Sequence, residues 1–355
     1  MPISPDAPER WLVTGAAGFI GAHVCRRLLA AGRHVTGVDN INEYYDTGLK
    51  RARLDELVVP AVTDGGRFDF THLDVCDRAE LLDLVTAARP HVVVHLAAQA
   101  GVRHSLEHPA AFIDANLVGF GSVLEACRQA FEDGHLEHLV YASSSSVYGG
   151  SRKLPFDVHD PADHPLSLYA ATKRANELMA HAYSDLHGMP TTGLRFFTVY
   201  GPWGRPDMSY WRFTDAILRG AEVPVYGDGS AVRDFTYVDD IVAALVLVAS
   251  RPAAPDATWD PAAPDIGTSS APWRLYNIGH GDQATVNELI ELLETYIGRP
   301  SRRRRLPESA GDVATTHADT ADLAAATGYT PVVTLEEGLQ RFVRWYLERA
   351  QDQVW

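Results

Sequence analysis

Trp11-Leu12-Val13-Thr14-Gly15-Ala16-Ala17-Gly18-Phe19-Ile20-Gly21 reads as a short apolar strand running into a glycine-rich turn and then a helix. The helix is predicted from Phe19 to Ala31, closed by Gly32. Glycines at these places let the turn be tight and let the backbone approach a pyrophosphate, which would then sit on the helix N-terminus. The spacing is G-x-x-G-x-x-G rather than the G-x-G-x-x-G of the standard dinucleotide fingerprint. A second strand, His34-Val35-Thr36-Gly37-Val38, ends in Asp39, in position to accept both hydroxyls of an adenosine ribose. A carboxylate there would repel a 2′-phosphate, so NAD is expected rather than NADP.

Strand and helix keep alternating. Phe68 to Leu73 reads as a strand ending at Asp74, a candidate for the adenine edge, and Ala79 to Ala88 as a helix. Val92-Val93-Val94-His95-Leu96 is a near-continuous apolar run, as expected of a parallel strand buried on both faces. His95 is read as a packed strand histidine. The run opens into Ala97-Ala98-Gln99-Ala100-Gly101, small enough to let a diphosphate and ribose pass close by. One long helix is predicted over Pro109 to Phe131, with Asn116 in its first half. Leu139 to Ala142 is the next strand, and it delivers Ser143 to Ser146 at its C-terminal end, where open parallel sheets bind their ligands. This repetition through about residue 196 specifies an α/β fold, a Rossmann-type doubly wound parallel sheet with a smaller α/β C-terminal lobe.

Later elements are less regular. Phe213 to Gly220 reads as helical, Val223 to Tyr226 and Val232 to Phe235 as strands, and Val238 to Ser250 as a helix. Residues 251 to 274 are rich in Pro, Ala and Asp without periodicity and read as an exposed loop. Val286 to Ile297, Ala321 to Thr327 and Leu335 to Arg349 have amphipathic helical spacing. Arg302 to Arg305 reads as a partly exposed strand, with contact to a substrate diphosphate as the sharper alternative. The expected division is 1–196 for the NAD-binding part, with 229–250 and 275–279 returning to it, and 197–355 mainly for the substrate lobe.

Ser167-Leu168-Tyr169-Ala170-Ala171-Thr172-Lys173 carries the chemistry. Tyrosine and lysine four apart on a helix share a face. An ammonium beside a phenol favours the phenolate, so Tyr169 is expected to have a lowered pKa. Such a tyrosine can take a proton from an alcohol and later return it. Tyr-x-x-x-Lys alone is common; its place downstream of the glycine turn gives it meaning.

The chain has 355 residues, 46% hydrophobic, and 31 basic against 46 acidic residues, for a net charge of −15. So acidic a chain is a poor partner for nucleic acid or an anionic membrane. An anionic small substrate would need local basic residues. Cys25, Cys76 and Cys127 lack metal-ligand spacing and read as reduced packing thiols, and no metal is expected. Met1-Pro2-Ile3-Ser4-Pro5 is no signal peptide, and no apolar run is read as reaching the roughly 20 residues of a membrane span. A cytoplasmic location is expected.

Several long runs resemble the extended short-chain dehydrogenase/reductase family of sugar-nucleotide enzymes, and within it the UDP-glucuronate 4-epimerases. They are the Gly15/Gly18/Gly21 turn, the Ser144/Tyr169/Lys173 set, Arg233-Asp234-Phe235, Asp39 to Asp46, Ala98 to Arg103, Ser143 to Gly149, and Arg195 to Met208. The resemblance covers nearly the whole chain. It implies that Asp39, Asn40 and Asn42 hold the adenosine ribose, that Asp74 and Val75 meet the adenine, and that Gln99 and Asn116 hold the rest of the NAD. Phe19, Ile20, Leu96, Ala97, Ala98, Ser143 and Phe196 complete the expected cofactor surface. It further implies that Ser144 bonds the sugar 4-hydroxyl, that Tyr169 is the acid/base, and that Lys173 tunes Tyr169 and binds the nicotinamide ribose. Arg233 resembles the arginine on the UDP diphosphate and Asp312 the acid near the uridine ribose. Ser145, Ser146, Thr198 and Arg205 are suited to the uronate carboxylate, and Arg103, Met208 and Val225 are further substrate candidates.

One departure stands out: Ser309-Ala310-Gly311-Asp312 replaces the Gln or Arg, then Pro or Glu, that precede Gly-Asp in relatives. The implied reaction is reversible oxidation at C4 of UDP-glucuronate, giving UDP-galacturonate through a 4-keto sugar. Nucleotide-sugar dehydratases place Asp-Glu where Ser145-Ser146 stand, and serines cannot supply that acid and base. A neutral-sugar epimerase of the UDP-galactose type, a UDP-glucuronate decarboxylase, an epimerase that accepts several sugars and a non-catalytic NAD-binding regulator are the rival readings. Relatives form homodimers through two helices, here Pro109–Phe131 and Tyr169–His187, with Leu117, Val118 and Leu124 as candidate contacts.

Overall fold

Apolar runs with no polar face can only be satisfied between two layers of helices, and those of the first half form one parallel sheet. Its strands are β1 (Arg10–Thr14), β2 (His34–Asp39), β3 (Arg67–His72), β4 (Val92–His95), β5 (His138–Ser144) and β6 (Thr191–Phe196). Three short strands follow, β7 (Thr198–Tyr200), β8 (Glu222–Tyr226) and β9 (Val232–Tyr237), before the chain returns to the main sheet as β10 (Trp273–Ile278). β11 (Gln283–Thr285) and β12 (Arg302–Leu306) complete the set. These elements belong to a computed structural model of the chain, which describes residues 7–63, 65–281, 283–307 and 313–351.

The seven-stranded order is β10-β6-β5-β4-β1-β2-β3, and every pairing within it is parallel. Strand order reverses between β1 and β4, which opens a crevice beyond the carboxyl ends of the strands. Register decides what meets there. Thr14 pairs with Val38 on one side and His95 on the other. The glycine turn, Asp39 and the Leu96 loop therefore leave the sheet at one level. Thr14 Oγ1 accepts from the amides of Leu96 and Ala97, both at 3.2 Å, and lies 2.8 Å from His95 Nδ1. Burial pushes the His95 pKa down to about 3, so it is a neutral packed histidine, as the sequence implied.

The helix expected from Pro109 forms, but Asp114–Val118 widens into a π-turn before it continues as Gly119–Glu132. Such insertions favour functional positions because they redirect side chains. This helix corrects the expectation about apolar runs. Pro109–Glu132 is 24 residues long with a mean hydropathy of 1.3 over its most apolar stretch, long and apolar enough to cross a membrane. Half of that stretch is buried here, with Phe120, Val123, Leu124 and Cys127 packed against the sheet. A helix over Thr47–Thr63, which the sequence did not suggest, brings Lys50 and Arg53 inward.

Beyond β6 the chain builds a second core. The helices Ser209–Arg219, Val286–Ile297 and Leu335–Gln351 bury Tyr210, Trp211, Ile290, Phe342 and Tyr346 around Tyr200 and Trp203. Between the two cores the helix Val238–Ala249, apolar nearly all round, packs on the main sheet. Asp234 is a buried staple. It accepts the amides of His280 (3.0 Å), Gly281 (3.1 Å) and Ala318 (3.0 Å), fixing β9 and the loops that flank Arg233. β12 pairs with β8, and its arginines are exposed. Arg303 meets Glu294 at 3.1 Å and Arg304 meets Glu222 at 3.3 Å, outside the cleft. Residues 251–272 form no helix or strand, and the loop expected over 251–274 ends two residues early because Trp273 and Arg274 already pair in β10. His159 holds that loop through Asp265 and the helix Ala321–Thr327 through Asp322, each at 2.7 Å.

Candidate functional site

A cleft of about 470 Å³ runs along the carboxyl ends of the strands, in the size range of small-molecule sites. The glycine turn forms one end, and its shape is backbone shape. Gly15 has φ 73°, and a Cβ there would lie 2.8 Å from the Ala97 nitrogen. A Cβ at Gly21 would lie 2.0 Å from the Gly15 carbonyl oxygen, and one at Gly18 would lie 2.9 Å from it. With Gly18 as N-cap, the helix Phe19–Leu29 carries no acidic residue in its first turn, so its amide end faces the cleft unneutralised.

Asp39 ends β2 with its carboxylate anchored by the amides of Ala17 (3.1 Å) and Ile41 (2.8 Å), and it lines the same end. Asn40 donates to Asp74 at 2.7 Å, and backbone and side-chain donors hold that carboxylate low against burial. Asn42 accepts from Lys50 at 2.8 Å; burial pushes the Lys50 pKa down to about 8. Phe19, Ile20, Val75, Leu96, Ala97, Ala98, Gln99 and Phe196 line the wall. Asn116 does not. It is buried behind the wall, accepting from the Gln99 amide (2.8 Å) and donating to the Gln99 carbonyl (3.0 Å) and Thr172 (2.9 Å). The expectation of direct cofactor contact is corrected: the π-turn aims Asn116 so that it clamps the loop that lines the cleft.

In the middle stand the serine run and the tyrosine helix. Ser167 caps the helix Leu168–His187 by accepting the Ala170 amide at 3.1 Å, which starts the helix at Leu168 and sets Tyr169 in its first turn. Tyr169 lines the cleft with Ser144, whose hydroxyl favours the phenolate. Ser144 Oγ also accepts from Ser146 Oγ at 2.9 Å and the Ser146 amide at 3.2 Å.

The expected lowering of the Tyr169 pKa is corrected. Burial pushes the phenol up, and the groups that oppose burial are Ser144 and Arg205. Lys173 points elsewhere, donating to the Ala142 carbonyl at 2.9 Å, and burial brings its own pKa down to about 8. Ser143 lines the cleft, but its hydroxyl donates to Glu177 at 2.6 Å. Glu177 is fully buried in a bidentate pair with Arg195, at 2.8 and 2.9 Å. That pair braces β5, β6 and the tyrosine helix against each other, and sequence reading missed it.

The far end is built from side chains. Arg205, Thr198, Met208, Ser145, Ser146 and Arg233 all line the cleft. The Arg205 guanidinium is bidentate to Asp207 (3.0 and 2.5 Å) and donates to the Ala100 carbonyl at 3.3 Å. Tyr44 donates to the same Asp207 at 3.1 Å, and burial with that carboxylate pushes its pKa up to about 12. Against burial, Arg205 holds Asp207 low. Arg233 donates to the carbonyls of Val232 (2.8 Å) and Ala314 (3.3 Å).

Two candidates are not brought to the cleft. Arg103 lies over the Tyr226 ring at 4.0 Å, and Val225 is buried in the second core. Asp312 and Ser309 lie outside the described residues. Among the polar lining residues that reading missed are Tyr44, Lys50 and Asp207, although all flank or sit within quoted runs. Their spacing gave no sign that residues 44 and 207 would touch.

The residues present fit NAD. The turn excludes side chains where a pyrophosphate would pass, an amide-rich helix end faces it, and a fixed carboxylate stands where ribose hydroxyls would bond. Comparisons with known proteins point the same way. The chain is 47% identical to Protein CapI of Staphylococcus aureus over 95% of its own length and 98% of that protein. It is 45% identical to the Probable UDP-glucuronate 4-epimerase of Rhizobium meliloti, over 95% of this chain and 96% of the relative. The crystal structure of UDP-glucuronic acid 4-epimerase from Bacillus cereus, in complex with UDP-glucuronic acid and NAD, superposes with a TM-score of 0.82. Identity there is 31%, covering 95% of this chain and 99% of that one. Residues 11–260 match the NAD dependent epimerase/dehydratase family as a whole, and with the glycine turn, Asp39 and the Ser144–Tyr169 pair in one cleft the chain belongs to that family.

Proposed function

We propose that this chain interconverts UDP-glucuronate and UDP-galacturonate with NAD retained in the cleft. The observation that carries the reading is that Ser144 and Tyr169 line one cleft together with the glycine turn and Arg205. Bound NAD supplies the hydride acceptor and donor for C4 of the sugar. Tyr169 takes the proton of the 4-hydroxyl as C4 is oxidised and returns it after the 4-keto ring has turned about its diphosphate. Ser144 orients that hydroxyl, and Lys173, held at the end of β5, serves the ribose side. Arg233 serves the diphosphate.

The 4-keto form of a uronate is a β-keto acid, prone to lose CO2. Arg205, with neutral hydroxyls at Ser145, Ser146 and Thr198, holds the carboxylate so that the C–C bond is kept out of the cleaving geometry. Asp207 lends Arg205 its orientation before substrate arrives. The residues up to about 196, with 229–250 and 275–279, make the NAD-binding part and 197–355 the main UDP-sugar lobe.

A homodimer is part of the reading. Ile113 (38%), Val118 (45%), Leu178 (57%) and Leu186 (74%) are exposed on the two helices expected to pair. Leu124, by contrast, is fully buried within the chain. Sedimentation that returned a monomer at micromolar concentration would remove the dimer.

Purified protein given UDP-glucuronate without added NAD, with products resolved by NMR, tests the activity. UDP-galacturonate alone is expected. A pentose product would mean decarboxylation, and unchanged substrate with UDP-glucose turned over would mean a neutral-sugar epimerase.

A further inference from the structure

Past the small-residue loop of the cleft, the chain makes one helical turn, His104–Glu107, that the reaction above does not use. His104 and His108 are four apart and so project from one face, with Glu107 beside them. A ring nitrogen from each histidine and a carboxylate oxygen of Glu107 all lie within 4.8 Å of one another. The two imidazole centroids are 4.4 Å apart. A zinc ion with bonds of about 2.0–2.1 Å needs donor atoms only about 3.3 Å apart. Side-chain rotation covers that difference, because Glu107 and His108 are exposed and His104 is half-buried. Two imidazoles and a carboxylate suit a borderline divalent ion and leave further positions to water.

Local electrostatics favour the same occupant. Arg205, a cation close to the same loop, is already paired with Asp207.

We propose that His104, Glu107 and His108 form an exchangeable site for a divalent transition metal, Zn2+ or Co2+, on the rim of the cleft. The His104 ring packs on Tyr44 at 4.4 Å, and Tyr44 bonds the carboxylate that holds Arg205. A Cβ at Gly101 would meet all three, 3.1 Å from the Tyr44 hydroxyl, 3.6 Å from the His104 Cβ and 4.0 Å from Arg205. The metal is therefore held one side chain away from the anion-binding end of the cleft. The site stands whether or not the epimerase reading does.

The test uses untagged, metal-stripped full-length protein titrated with CoCl2, followed by visible d–d absorption, and then back-titrated with ZnSO4. One saturable equivalent of Co2+, displaced by Zn2+, is expected. His108→Ala should weaken binding at least as much as the roughly 10–100-fold lost with an outer partner of a metal ligand. Glu107→Gln should weaken it less. His108 is exposed, so this variant keeps its fold, which circular dichroism verifies. His159→Gln, in a separate histidine–carboxylate cluster with Asp265 and Asp322, should leave the titration unchanged. Absence of a saturable equivalent, or wild-type binding by both His108→Ala and His104→Ala, overturns the site.

Discussion

The two ends of the cleft are made of different material. At the glycine turn, the surface is backbone, and its defining property is the absence of side chains at residues 15, 18 and 21. At the Arg205 end, the surface is a set of polar side chains from separate segments, paired with one another through Asp207. A backbone surface tolerates no addition, since the obstructing atoms are carbonyls and amides that cannot rotate away. A side-chain surface can be edited, and each edit should change affinity by a graded amount. Nature of the building material thus predicts how each end responds to change.

Between the two ends lies the hydroxyl pair on which both depend, and its loss should have the largest effect. Tyr169→Phe removes the phenol that would carry the proton, and turnover should fall by about 10²–10⁴-fold with bound NAD unchanged. Steady-state rates and nucleotide content after denaturation measure both. Gly21→Ala comes next. Its Cβ would lie 2.0 Å from a backbone oxygen, and forcing such a methyl into packed structure costs about 1–3 kcal/mol or more. Released nucleotide should drop several-fold or more, while a soluble Gly21→Ala protein with full NAD would erase the contrast between the ends.

Arg205→Gln sharpens the other side. Losing a charge-assisted hydrogen bond costs about 1.5–3 kcal/mol, so kcat/KM on UDP-glucuronate should fall about 10–100-fold. The variant should keep its NAD. Equal losses on UDP-glucuronate and on a neutral UDP-sugar would show that Arg205 does not read the carboxylate.

The smallest effect concerns the loop clamp. Burial lowers the His159 pKa, but bonds to Asp265 and Asp322 outweigh it and the net shift is upward. A histidine raised in the folded state stabilises fully below its unfolded value, near 6.5, and that contribution is lost as pH rises through the folded value. His159→Gln should therefore lower Tm by about 2 °C or less below pH 6.5, and by less at higher pH. A difference that grew with pH would contradict the assignment.

What could be read from the chain follows the same division. The strand–turn–helix at Trp11 to Gly21 and the Asp39 that ends the next strand are local patterns, and the structure places them as spacing implies. Boundaries of Val286–Ile297 and Ala321–Thr327 were also legible, because capping residues and apolar spacing act over a few positions. Less visible were contacts made at long separation. Glu177 meets Arg195 and Ser143 only because three elements pack side by side. Asn116 was assigned to the cofactor because sequence cannot show that a π-turn swings it behind the Gln99 loop. The tuning of Tyr169 was misread for a related reason: four-residue spacing sets a shared face, whereas the direction of the Lys173 ammonium is set by the Ala142 carbonyl on another element.

The most direct test follows the hydrogen on C4. UDP-glucuronate deuterated at C4 is incubated with the purified protein, without added NAD, and the product is examined by NMR. The account predicts UDP-galacturonate that keeps its deuterium at C4, because hydride leaves and returns within one closed cleft while Tyr169 exchanges only the hydroxyl proton. Deuterium washed out to solvent, or no epimer at all, would contradict it.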